Sequence, residues 1–111
     1  MRTIITSSEN KITAAFDKRF GRAAWFCLFD EQSGEIEFIE NVNLNSSNGA
    51  GTKAAEKAVE LKVKKIISGD FGPKAKDLLD KFEIQVVILQ DDNLTVENII
   101  NKLKNKNYAR I

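Results

Sequence analysis

The sequence predicts an α/β protein in which a sheet carries helices on its faces. Two observations predict it: short apolar or β-branched segments occur throughout the chain, and amphipathic segments of helical length alternate with them from about residue 50 onward. The 111 residues, 42% of them hydrophobic, suit one core, so we expect a single domain spanning residues 1–111. The predicted order is one strand, a strand hairpin, and then helix, strand, helix, strand, helix.

The first half of the chain predicts three strands. Residues 3–6 are short and β-branched, and a long polar loop follows them to about Arg22. Residues 23–29 form a continuous apolar run rich in aromatic side chains, which indicates a strand covered on both faces. Turn residues at 30–34 then precede residues 35–40, where polar and apolar side chains nearly alternate. The glutamates of this last strand are typical of a sheet edge.

A helix is predicted over residues 50–62, with a face of small residues that can approach a sheet closely. Asn48 or Thr52 is its expected cap. Residues 63–68 read as a short apolar strand, and Gly72-Pro73 begins the next helix, where proline loses no hydrogen bond at a first-turn position. The expected buried face of that helix comprises Ala75, Leu78, Leu79 and Phe82.

The last part of the chain predicts a buried strand at 84–89 and a final helix capped by Thr95. Leu94 and Ile99 are placed as a hydrophobic staple. The final helix shows core spacing at Val96, Ile99, Ile100 and Leu103. We expect the tail, 104–111, to be frayed. The expected sheet core comprises Ile4, Phe26, Leu28, Ile67, Val87 and Ile88.

Composition excludes several classes of function. The 17 basic and 16 acidic side chains nearly cancel, so bulk charge does not recruit nucleic acid. No apolar run approaches the roughly 20 residues of a membrane span, and one cysteine permits no intrachain disulfide, so we expect a cytoplasmic protein without a membrane partner. Histidine is absent, which removes the usual zinc ligands and the imidazole base of nucleophilic hydrolases.

Three ordered motifs carry a family resemblance. They are Arg19-Phe20-Gly21-Arg22-Ala23, Asn48-Gly49-Ala50-Gly51, and the segment 68–75, which reads SGDFGPKA. In this order and spacing, the chain from about residue 4 to residue 89 resembles the dinitrogenase iron-molybdenum cofactor biosynthesis family. Its members include the nitrogenase accessory proteins NifX and NafY and the C-terminal domain of NifB.

The resemblance implies a ribonuclease H-like fold of three layers, with a five-stranded mixed sheet in the order 3-2-1-4-5 and strand 2 antiparallel. In that topology strands 1 and 4 form a switch point, where ligands of open α/β sheets tend to sit. The three motifs should therefore converge there. The cofactor-binding residues expected on this basis are Arg19, Phe20, Gly21, Arg22, Asn48, Gly49, Ala50, Gly51, Thr52, Gly69, Asp70 and Gly72.

The family also implies a non-enzymatic protein that binds or carries an iron-molybdenum or iron-sulfur cluster, with cofactor-assembly proteins as partners. Direct ligation of cluster irons would lack its usual donors here, because the chain has no histidine and one cysteine, Cys27, within a buried-looking strand. The residues instead suit an anion held by two helix N-termini beside arginines. Phosphate or a small carboxylate fits such a site equally well.

Plainer interpretations of the same residues stay open. The glycines can simply allow tight helix entries and close packing, and the arginines can be solvated or pair with Asp17. Cys27 fits a small core residue. A nuclease site built from Asp70, Asp91 and Asp92 is disfavoured, because the first strand carries no carboxylate to complete a two-metal centre. The alternative functions are a protein-interaction module that uses the edge at 35–40 and a small-anion-binding protein unrelated to nitrogenase.

Overall fold

The structure is a computed structural model, and it describes residues 1–105. Its strands and helices follow the predicted order. They are β1 (Arg2–Ser7), β2 (Trp25–Asp30), β3 (Ile36–Glu40), α1 (Ala50–Glu60), β4 (Lys65–Ser68), α2 (Pro73–Lys81), β5 (Gln85–Ile88) and α3 (Val96–Lys104). Apart from Lys104 and Asn105, the tail that we expected to be frayed lies outside the described residues. None of the described helices has the length and apolarity needed to cross a membrane.

The sheet has the order β3-β2-β1-β4-β5, which confirms the ribonuclease H-like arrangement. β2 is antiparallel to both of its neighbours, whereas β1, β4 and β5 are parallel to one another. Ile4 pairs with Ile66 and Ile5 with Ile67, so β1 and β4 are direct neighbours, as predicted. The chain leaves β1 toward one edge and returns at β4 on the other side, which places the switch point between them.

Alternation along the strands divides the core between the two faces of the sheet. On one face, Ile4 of β1 packs in a cluster with the alanines of α1 and with Leu79 of α2. On the other face, Ile5 packs in a cluster with Cys27 and with the apolar side of α3. Helices therefore cover both faces, with α1 and α2 on one side and α3 on the other. The predicted core positions of α3 are all buried.

The expected burial is wrong for β5, where Val86 and Val87 are only half-buried, and for Phe82 of the predicted buried face of α2. Ile88 is 57% exposed and Phe82, just past the end of α2, is 48% exposed. β5 is the outermost strand of the sheet, with a hydrogen-bonded neighbour only on the β4 side, so its apolar residues are incompletely covered. The sequence run resembles a central strand because its apolar residues are continuous, and the order of strands is not visible in that pattern.

The expected capping is right for α3 and wrong for α1. The Thr95 hydroxyl accepts from the Asn98 backbone N–H at 3.1 Å, and the Asn98 side chain accepts from the Thr95 N–H at 2.9 Å, which completes a reciprocal cap. Neither Asn48 nor Thr52 caps α1. Gly49 occupies that position in the left-handed region, at φ 73°, and no side chain caps the helix.

Candidate functional site

The three motifs meet in one open depression beyond the carboxyl end of β4. Its volume is about 420 Å³, and we refer to it as the cradle. Its walls come from the loop after β1, the start of α1 and the loop between β4 and α2. The lining residues are Arg19, Phe20, Gly21, Arg22, Gly49, Ala50, Gly51, Asp70 and Gly72. These are all of the predicted site residues except Asn48, Thr52 and Gly69.

Phe20 anchors the arginine loop in the core. It is 1% exposed, and its ring lies 4.8 Å from that of Phe71 and 6.3 Å from that of Phe26, measured between centroids. Its backbone N–H donates to the Asp70 carbonyl at 3.2 Å, which ties the loop to the segment that follows β4. The flanking arginines are therefore carried on a loop that is held at its centre.

The arginine loop also lies directly against the start of α1. A Cβ added to Gly21 would be 2.6 Å from the backbone nitrogen of Gly51 and 2.7 Å from its Cα, closer than a real side chain could come. The buried amide of Asn41 supports this loop by donating to the Gly21 carbonyl at 3.0 Å and to the Ala23 carbonyl at 2.8 Å. Gly21 is thus required by packing between two backbones.

Gly51 and Gly72 differ from Gly21 in this respect. A Cβ on Gly51 would meet only the Ala75 Cβ, at an ordinary 3.5 Å, and a Cβ on Gly72 would meet nothing within 4 Å. Gly72 has φ −67° and ψ 157°, which any residue can adopt. Packing within the described residues therefore accepts a side chain at either position. Because neither glycine has a side chain, the backbone at these two positions lines the cradle directly.

Both helix starts at the cradle lack a side-chain cap. The first-turn N–H groups of a helix have no carbonyl partner within the helix, and they carry the partial positive charge of its N-terminus. Pro73 removes one of these donors from α2, as predicted for a proline at the first helical position. The cradle is therefore bordered by two helix ends that favour negative charge.

Arg19 pairs with Asp17, as the structural interpretation of the sequence allowed. Its Nε donates to Asp17 Oδ1 at 3.1 Å and its Nη2 to Oδ2 at 3.0 Å. The Arg19 side chain is nevertheless 66% exposed. Hydrogen bonding to Asp17, together with its negative charge, raises the pKa of Arg19 further above its usual value, so the guanidinium stays charged.

Arg22 makes a different set of contacts. Its Nη1 donates to the carbonyls of Leu44 and Ser46, each at 2.7 Å, so it pins the loop that leads from β3 to α1. Within residues 1–105 no carboxylate forms an ion pair with it. Arg22 is therefore the cradle cation whose charge is not neutralised by a bound neighbour.

The remaining predicted residues lie outside the cradle. Asn48 and Thr52 line an adjoining depression of about 560 Å³ together with Lys53 and Lys74. Gly69 is buried, and a Cβ on it would come 2.5 Å from the Lys18 Cβ and 2.7 Å from the Leu89 carbonyl oxygen, so packing explains this glycine. Lys53, Glu56 and Lys74 also line the adjoining depression and were not among the predicted site residues. Lys53 and Lys74 each lie near the start of a helix that a glycine precedes, and this is the sequence signal that could have included them.

The donors present do not suit direct metal ligation at the cradle. Within the described part of the chain, no group of three or more histidine, cysteine, aspartate or glutamate side chains could hold a metal ion. Cys27 is fully buried in the cluster under α3, and burial raises the pKa of its thiol to about 12. Its predicted burial is confirmed. A metal cluster at the cradle would thus meet N–H and guanidinium groups rather than thiolates.

Comparisons with known proteins agree with this fold. The family model described as dinitrogenase iron-molybdenum cofactor matches residues 1–106. The apo orange protein from Desulfovibrio gigas superimposes with a TM-score of 0.84 at 29% identity, over 95% of this chain and 88% of that one. A candidate NifB protein from Thermotoga gives a TM-score of 0.79 at 26% identity, over 94% and 87%.

A curated relative matches over a shorter stretch. An uncharacterized protein of Methanocaldococcus jannaschii is 36% identical over 70 residues, which is 60% of this chain and 59% of that protein. The match therefore spans somewhat more than half of the relative's length. All of these proteins are similar to this chain in sequence, in fold or in both.

Proposed function

Because this chain belongs to the dinitrogenase iron-molybdenum cofactor family, we propose that it is a non-enzymatic carrier that binds an anionic metal cofactor at the cradle. Family and structural neighbours make it a small cofactor-associated accessory protein. The proposal goes further in two respects: it assigns the cradle as the binding site, and it assigns negative charge as the property that is recognised.

The observation that carries the proposal is the convergence of three loops that expose backbone and positive charge. Two uncapped helix starts and two arginines border one depression. Gly51 and Gly72 leave space in this depression, although packing would accept a side chain at either position. A bulky anion can therefore approach the backbone closely, and a Cβ at either position would take up part of that space.

The cargo that best fits these groups is an iron-molybdenum or related iron-sulfur cluster, bound as an anion. The chain would contribute first-turn N–H groups and the guanidinium of Arg22, which form charge-assisted hydrogen bonds to anionic ligands. The metal's own ligands would have to come with the cluster or from a partner, since thiolates are absent from the cradle. Cofactor-assembly proteins are the partners that such a carrier would need.

The depression's electrostatics set the expected affinity. Each helix N-terminus favours a nearby negative charge by about 0.3–1 kcal/mol, and Asp70 places one carboxylate among the lining groups. We therefore expect modest affinity for small anions and tighter binding for a ligand that fills the cradle. If this protein acts outside nitrogenase assembly, phosphate and small carboxylates are its candidate ligands.

Chemical-shift mapping tests the proposal. Titrating the ¹⁵N-labelled protein with citrate, phosphate or molybdate should move the amide signals of Gly21, residues 49–52 and residues 69–72. The amides of Asn101 and Lys102, on α3 across the sheet, serve as an internal control. If the cradle amides do not move with any of these anions, the proposed site is wrong.

One observation favours a second function, an interaction module. β3 is an edge strand with an exposed apolar side chain at its first residue, Ile36 (37% exposed), and another two residues beyond its end, Val42 (77% exposed). An edge of this kind can accept a strand from a partner. A partner peptide would then shift the amides of residues 36–40 and leave those of the cradle in place, which separates the two functions.

A further inference from the structure

We propose that Asp17 is a positioning residue of the cradle: its carboxylate holds the Arg19 guanidinium in the orientation that meets a bound anion. This inference rests on the proposed anion binding and names the residue that organises it. Asp17 itself does not line the cradle, whereas Arg19 does. Its effect on a ligand would therefore pass through Arg19.

The contacts between the two residues define the orientation of the guanidinium. Asp17 Oδ1 accepts from the Arg19 backbone N–H at 3.0 Å and from Nε at 3.1 Å, and Oδ2 accepts from Nη2 at 3.0 Å. Two parallel bonds of this kind fix the plane of an arginine fork. The Asp17 side chain is 9% exposed and that of Arg19 is 66% exposed. A mostly buried carboxylate thus holds an arginine that still faces solvent.

Asp17 is itself tied to the sheet at the switch point. Its backbone N–H donates to the carbonyl of Thr6, near the end of β1, at 3.0 Å. Its own carbonyl accepts from the Thr6 hydroxyl, and from the Ser68 hydroxyl of β4 at 3.5 Å. The two hydroxyls lie 2.7 Å apart and are buried. Through this network, the position of Arg19 follows from the ends of β1 and β4.

Holding an arginine in this way favours anion binding for an entropic reason. A free arginine loses much of its rotamer freedom when it contacts a ligand, whereas a held one has lost it on folding. The negative charge of Asp17 acts in the opposite direction, since it repels a second anion. Removing the charge of Asp17 should weaken anion binding if positioning dominates and should tighten it if repulsion dominates. A substitution at Asp17 therefore decides between the two effects.

The test is a double-mutant cycle with citrate as the probe, read by NMR titration. The variants are Asp17→Asn, Arg19→Ala and the double variant. Asp80→Asn is the matched control, because Asp80 also pairs with a cation, Lys76 of α2, but lies outside the cradle. If Asp17 positions Arg19, Asp17→Asn weakens citrate binding by about three- to tenfold and has no effect once Arg19 is alanine.

The other outcomes overturn the inference. Equal weakening in the presence and absence of Arg19 would show a general structural role for Asp17. Unchanged binding by Asp17→Asn would show that Asp17 does not position Arg19, and tighter binding would show that its charge acts only as a repulsion. Failure of the unsubstituted protein to bind citrate, phosphate or molybdate would refute the proposed function itself, and this inference with it.

Arg19→Lys provides an independent arm if Asp17→Asn fails to fold. Arg19 is mostly exposed, so the substitution should leave the fold intact. Lysine keeps the charge but cannot be held by two parallel hydrogen bonds. We expect its citrate affinity to fall at least about threefold, toward that of Arg19→Ala. Binding as tight as that of the unsubstituted protein would show that charge alone suffices and would contradict the inference.

Discussion

Gly21 and Gly51 are in direct backbone contact, and a Cβ on Gly21 would come within 2.6 Å of the Gly51 nitrogen. They are separated by thirty residues of sequence and belong to different motifs, yet this contact seats the arginine loop on the start of α1. Only the first of the two needs to be glycine for packing. Gly21 is therefore explained by packing, whereas Gly51 is available for contact with a ligand.

Gly21→Ala should destabilise the fold. The new methyl group would press on backbone atoms of α1, which cannot move aside as a flexible side chain can, so we expect a loss of about 1–3 kcal/mol. Urea unfolding followed by circular dichroism measures it. A variant as stable as the unsubstituted protein would show that the loop can lift away from α1 at little cost.

Gly51→Ala should have the opposite effect on stability. Its Cβ makes an ordinary contact with Ala75, and alanine restricts the unfolded chain, so a gain of about 0.4–1 kcal/mol is expected. Citrate binding should nevertheless weaken, because the methyl group stands at the cradle. Gly72→Ala, with open space around its Cβ, is the companion variant for binding. Unchanged affinity in both variants would argue that a ligand does not approach this backbone.

Arg22→Ala should affect both the loop and the ligand. Removing the guanidinium frees the carbonyls of Leu44 and Ser46, so amide hydrogen exchange in residues 43–48 should become faster. Citrate affinity should fall about tenfold, or ~1.4 kcal/mol, because the unneutralised cation of the cradle is lost. Global stability should change little. If exchange quickens but affinity holds, Arg22 is a loop anchor and not a ligand contact.

Cys27 should be chemically quiet in the native protein. Its thiol is fully buried, and with a pKa of about 12 almost none of it is the reactive thiolate at pH 8. A thiol reagent such as dithionitrobenzoate should react slowly with the native protein and rapidly after denaturation in guanidinium chloride. Rapid reaction in the native state would return Cys27 to consideration as a ligand.

Strand and helix order could be predicted because each element carries its own periodic pattern. The small-residue face of α1, the proline at the start of α2 and the Thr95 cap of α3 are local signals, and local geometry sets the structures they produce. The boundaries held to within about two residues, as at the end of α1, which stops at Glu60 rather than at residue 62. The five-stranded order came from the family resemblance.

The errors arose where burial depends on neighbours in space. Ile88 and Phe82 read as core residues because they continue apolar patterns, but Ile88 lies on the outermost strand of the sheet and Phe82 lies just past the end of α2. The predicted side-chain cap of α1 was wrong because Gly49 occupies the cap position. Its backbone turns the chain at a positive φ, and no side chain caps the helix. The exposure of Ile88 is not encoded in the residue types of its segment, because it depends on the order of the strands.

Glycine, arginine and helix-start signals in the sequence identified the candidate loops. The topology implied by the family resemblance was needed to propose that these loops form one site. The division of labour among those residues required the folded molecule. Gly69 packs against Lys18, Gly72 faces open space, and Arg19 is held by Asp17 while Arg22 spans two carbonyls. These roles depend on distances between segments far apart in sequence, and close packing sets those distances only when the whole sheet has formed.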